Sequence, residues 1–143
     1  MAVTYKNTWK NILTALKSKI RAEMKCPVTT DNTDLKSNQF IKLYPIGSDQ
    51  LEKASFLETR QYNISCQYFM LRRNTPEFEN YIQNQISILE ALIHDNITLT
   101  LADSSLAYDI TMGVMTYSAE VEEYDDYHIV EWELSCTHSG NAN

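Results

Sequence analysis

The stretch RQYNISCQYFMLR, Arg60–Arg72, decides the fold. In it Tyr62, Ile64, Cys66, Tyr68 and Met70 alternate with Gln61, Asn63, Ser65, Gln67 and Phe69. Successive side chains of a strand point to opposite faces, so one face here is apolar and the other mostly polar. That pattern predicts a strand of an antiparallel sheet, one face on a core and one towards water.

Downstream, Thr75-Pro76 opens a helix. Thr suits the N-cap, Pro the first helical position, and Glu77 and Glu79 the positive end of the helix. Phe78, Tyr81, Ile82, Ile86, Leu89, Leu92 and Ile93 recur at helical spacing as its buried stripe, and His94-Asp95-Asn96 ends it. Ile97–Leu101 is expected as a short strand. Tyr108, Ile110, Met112 and Val114 then alternate, and the phase shifts beside Gly113 to Met115, Tyr117, Ala119 and Val121, which predicts a β-bulge. Glu122–Asp126 reads as a turn. His128, Val130, Trp132, Leu134 and Cys136 face one way in a last strand, with Ile129, Glu131, Glu133 and Ser135 on the other side. Residues 138–143 have no pattern and are expected as an irregular tail.

Upstream, Gln39–Ile46 predicts a short strand, with Pro45 at an edge or exit. Residues 47–57 read as a connector with room for a helical turn, and residues 27–38 as a polar surface loop. Residues 5–25 form an amphipathic pattern, with Tyr5, Trp9, Ile12, Leu13, Leu16, Ile20 and Met24 on one arc. Lys6, Lys10, Lys17, Arg21 and Lys25 share one flank of that arc, and Lys19 lies on the other side. Cys26-Pro27 stops the helix, because proline disfavours helical backbone in the residue before it. The expected fold is therefore α+β: an antiparallel sheet of four or five strands with two amphipathic helices packed on one face. Trp9, Leu16, Ile20, Ile64, Phe78, Leu89, Ile110 and Trp132 are the candidate core.

The 143 residues, 43% of them hydrophobic, suit a single domain, 1–143, that buries about two-thirds of its unfolded surface. No 18-residue apolar run is present to span a membrane, and the N-terminal residues lack a secretory apolar stretch. Asn63-Ile-Ser65 and Asn96-Ile-Thr98 match the glycosylation pattern without such a route. Cys26, Cys66 and Cys136 are odd in number and widely spaced, which predicts free thiols in a reducing compartment.

The net charge of −7 is unevenly distributed. Near the N-terminus Lys6, Lys10, Lys17, Lys19, Arg21 and Lys25 stand against Glu23 alone, while no Lys or Arg follows Arg73. Such asymmetry bears on association rather than on fold.

Candidate chemistry is sparse. His94 sits at a helix end, where a cation suits the negative dipole. His128 faces away from Glu131 and Glu133, whereas metal ligands must converge. The run Glu120, Glu122, Glu123, Asp125, Asp126 lacks the alternating ligands and glycine of a calcium loop and reads as a solvated hairpin tip. Cys66 reads as a small buried hydrophobe. None of the phosphate-loop, nucleophile-elbow or zinc-helix motifs occurs. No catalytic, cofactor-binding or metal site is expected, and the acidic chain, with pI near 4.9, should repel nucleic-acid phosphates.

Taken together, TWKNILTALKSKI, the strand ending LYPIG, RQYNISCQY, PEFENYIQNQISILEALI and the closing VEWELSCTH make a recognisable succession. Over about residues 5–137 it resembles the tail terminator (tail-to-head joining, minor tail) proteins of long-tailed bacteriophages. The resemblance implies a non-enzymatic virion protein at the tail–neck junction, assembled in the host bacterial cytoplasm. It further implies a homo-oligomeric ring, usually a hexamer, that caps the tail tube, stops its growth and meets the neck connector, with DNA passing through the lumen. Another neck, tail-completion or tail-tube ring protein stands as an alternative, as does a non-viral cytoplasmic binding or regulatory domain.

Overall fold

A computed structural model describes residues 7–30, 37–54, 57–71, 76–118 and 127–141. The first helix, α1 (Thr8–Met24), begins where the Asn7 side chain accepts a hydrogen bond from the Lys10 backbone N–H at 3.2 Å. It ends at Lys25, whose left-handed backbone (φ 55°) turns its N–H onto the Arg21 carbonyl at 3.0 Å. The stop thus falls one residue before the Cys26-Pro27 pair that the sequence marks.

Next come β1 (Val28–Thr29), β2 (Gln39–Lys53), β3 (Leu57–Leu71) and α2 (Pro76–Asp95). They are followed by β4 (Leu99–Thr100), β5 (Leu106–Met112), β6 (Thr116–Ser118) and β7 (Tyr127–Asn141). The fold is α+β, and the seven-stranded sheet runs β1-β2-β3-β7-β5-β4, with β6 also on β7. It exceeds the expected four or five strands and is not purely antiparallel, because β1 pairs parallel with Ile41 and Lys42 of β2. Val28–Thr29, expected within a loop, is too short to show a period.

The larger correction is in β2. The expected short strand and connector are one strand to Lys53, paired with β3 as far as Glu58. Proline is tolerated at sheet edges and bulges. Pro45 has both: β1 reaches only to Lys42, and the ladder slips between Pro45 and Gly47. Gly47–Lys53 has no apolar alternation because that half of the strand pairs without facing a core. Similarly, β7 runs through residues 138–141, expected to be an irregular tail, and pairs Asn141 with Leu57.

The phase shift beside Gly113 is a bulge. Met112 pairs with Leu134 and Thr116 with Glu131, so Gly113, Val114 and Met115 stand opposite Trp132 and Glu133. A second slip lies between Tyr108 and Thr111, where Asp109 has φ 51°.

One core cluster joins Ile12, Leu16 and Ile20 of α1 and Leu89 and Ile93 of α2 to the inward strand residues Leu43, Ile64, Cys66, Val130, Trp132 and Leu134. Both helices therefore cover the same sheet face. Of the candidate core, Trp9 packs partly buried against this cluster, and Phe78 lies outside the described side chains. Tyr81 is not in the buried stripe. It is 39% exposed, and its hydroxyl donates to Gln39 at 2.8 Å. A smaller cluster, Phe40, Phe69 and Ile129, closes one end of the opposite face.

Candidate functional site

The side chains that carry chemistry are mostly committed to the fold. All three cysteines are free and buried. Burial removes water from the thiolate and pushes Cys26 up to about 11 and Cys66 and Cys136 up to about 12. At neutral pH all three stay protonated, the form without nucleophilic power.

His138, expected in the irregular tail, is buried on the inward face of β7 and lies 6.4 Å from the Tyr62 ring. Its Nε2 is 3.0 Å from Ser105 Oγ, which donates in turn to Asp103 at 2.5 Å. These are the residue types of a hydrolase triad in the wrong order. A catalytic serine gives its proton to the imidazole while the carboxylate orients the other ring nitrogen. Here the serine proton points to Asp103, and the same carboxylate accepts the Ser105 backbone N–H at 3.0 Å. The arrangement clasps the β4–β5 turn onto β7. No sequence motif signals it, because Asp103, Ser105 and His138 meet only through strand pairing.

His128 is buried on the inward face and hydrogen-bonds the Tyr117 hydroxyl, with ring centroids 5.6 Å apart. Glu131 is on the other face, where it accepts from Gln67. His94 is exposed in the last turn of α2, 3.4 Å from Asp95. The acidic run at residues 120–126 lies outside the described residues.

Two surfaces remain. On α1, Lys10, Arg21 and Lys25 are exposed and Lys17 is half-buried, and none forms an ion pair among the described residues. The second surface is the sheet face turned away from the helices. Directly opposed residues share a face. The register therefore sets Gln67 beside Glu131, Ser65 beside Glu133, Asn63 beside Ser135, Gln61 beside Thr137 and Thr59 beside Ser139. Ser135 donates to Asn63 at 2.9 Å, and the Thr59, Ser139 and Tyr108 hydroxyls are linked at 2.8 and 2.7 Å. This ladder of hydroxyls, amides and exposed carboxylates offers hydrogen bonding and negative charge. Among the described residues its basic neighbour is the buried Lys42, whose ammonium lies 5.2 Å from the centre of the Phe69 ring. The period-two reading finds the polar face, but its length follows from the unforeseen start of β3 and end of β7.

No protein-family model matches the chain, and no curated protein matches it in sequence. Its fold is shared with solved structures. A chain from the virion of a native gene transfer agent particle aligns with a TM-score of 0.67 at 9% identity, over 95% of this chain and 100% of that one. A second structure aligns with a TM-score of 0.59 at 15% identity, over 93% and 96% of the two chains. The sheath/tube terminator of an extracellular contractile injection system, in its extended state, aligns with a TM-score of 0.50 at 13% identity. That alignment takes in 99% of this chain but only 58% of the longer terminator. At such identities the likeness is one of fold, a fold found in virion and injection-system assemblies.

Proposed function

We propose that the chain is a structural virion protein of phage type, a tail terminator working as one domain without catalysis. Six copies would form a ring that caps the tail tube, stops its growth and presents a surface to the neck connector. The observation that carries this reading is the near-complete overlap with the virion chain of a gene transfer agent, together with the likeness to a sheath/tube terminator. Charge supports it. In a ring each copy offers different patches to its two neighbours. The cationic flank of α1 and the cation-free half beyond Arg73 supply such a pair. The polar ladder on β3 and β7 suits a lumen, since its carboxylates would repel passing DNA phosphates rather than bind them.

The gene transfer agent likeness names a virion without a position in it, which favours a second reading as another neck or tail ring. Electron microscopy and light scattering on the purified chain, with and without tail-tube protein, separate the cases. A terminator forms rings that bind tube ends and halt elongation, and another ring protein assembles without halting it. A chain that stays monomeric beside growing tubes contradicts both.

A further inference from the structure

Both irregularities of β2 eject an aliphatic side chain. The ladder with β3 slips at Pro45/Gly47 and again at Gln50/Glu52, leaving Ile46 and Leu51 unpaired. They are 54% and 55% exposed, whereas Ile41 and Leu43 of the same strand are 0% exposed. Neither belongs to a core cluster, and about half of each residue's surface stays open to solvent in the isolated chain. Lys53 stands beside this edge, exposed and with no ion pair among the described residues, its cross-strand neighbour Glu58 being engaged by Arg60.

On the far flank of the sheet, the last turns of α2 and strand β5 leave an open groove of about 610 Å³. Ile93, Ile97, Ile110 and Met112 line its apolar part, and Glu90 and Asp95 are its carboxylates. Val114, 87% exposed, follows Gly113 at its border. No Lys or Arg follows Arg73, so neither α2 nor β5 brings either to these acids. His94, also in the lining, lies 3.4 Å from Asp95 and leaves Glu90 as the carboxylate with no basic partner among the described residues.

We propose that this groove receives the β2 edge of a second copy, with Leu51 in the apolar part, Ile46 against Val114, and Lys53 facing Glu90 and Asp95. The proposal deepens the ring reading and rests on it for the presence of repeated copies. Apolar side chains supply contact area, and the complementary charges set orientation and exclude the reversed pairing. The two surfaces differ and lie on opposite flanks, so each copy gives its edge to one neighbour and its groove to the other. Contacts of that kind propagate head to tail and close where the rotation per copy allows.

The test uses full-length chains. Leu51→Asp and Ile97→Asp alter exposed side chains, so each should melt like wild type yet self-associate at least tenfold more weakly by sedimentation. Copies carrying Leu51→Cys, mixed with copies carrying Ile97→Cys and oxidised, should form mixed disulfide dimers ahead of either variant alone. The native thiols are buried and do not compete. Rings that assemble equally well with Leu51→Asp, or show no preference for the mixed link, overturn the contact and leave the ring standing. A mixed link without closed rings overturns the ring and keeps the contact, and a monomeric wild type without the link overturns both.

Discussion

Cys66 is 0% exposed, and burial pushes its thiol up to about 12 from an ordinary 9.0. An unfolded chain releases this proton near 9.0 while the folded chain holds it, so between those values the folded state binds more protons. Stability is then full below about pH 9 and falls as pH rises towards 12. Thermal melts across that window should show an alkaline loss shared among Cys26, Cys66 and Cys136 and, above about pH 10, the phenols of Tyr62 and Tyr68, which burial also pushes up. Cys66→Ala should reduce the slope. A melting temperature level to pH 11 would show that the thiols do not carry the effect. Cys66 was legible as a core residue because it lies mid-alternation. His138 was not, since Thr137 to Asn141 carries no apolar repeat and its burial depends on Tyr62 and Ser105, distant in sequence.

The elements that could be read beforehand are those with a core to face. α1, α2, β3 and most of β7 show their periods because one side of each is buried. Residues 47–53 lack that signal and β1 is too short to hold a repeat, whereas β4 and β6 fall inside the expected strand Ile97–Leu101 and the alternation from Met115. The bulge beside Gly113 was legible as a change of phase, and its geometry gives a test. Gly113 donates its N–H to the Glu133 carbonyl at 2.8 Å, and a Cβ there would lie 3.2 Å from the same oxygen. Gly113→Ala should therefore open the bulge and cost about 1 kcal/mol, within the usual range for single substitutions. Urea midpoints would measure it, and an unchanged midpoint would mean that β7 gives way freely.

Across the whole molecule, charge is divided between a cationic helix and a cation-free half, which sequence alone made plain. Which surfaces those charges occupy was not legible, since pairing sets the polar ladder on β3 and β7. Exposed ion pairs are each worth about 0–1 kcal/mol and are screened by salt. If the proposed ring forms, reversing Lys10 and Lys17 to Glu should thus weaken it in low salt and matter less in high salt, as read by light scattering. Equal assembly at both salts would assign the basic flank to solvent alone. The strand order has a further consequence, for biosynthesis. β7 lies between β3 and β5, yet it leaves the ribosome after every other described strand. Until then the nascent sheet is two unjoined halves with open edges, the state most exposed to mispairing and aggregation. Translation halted before Tyr127 therefore yields chains that lack the joining strand and leave the facing edges of β3 and β5 unpaired.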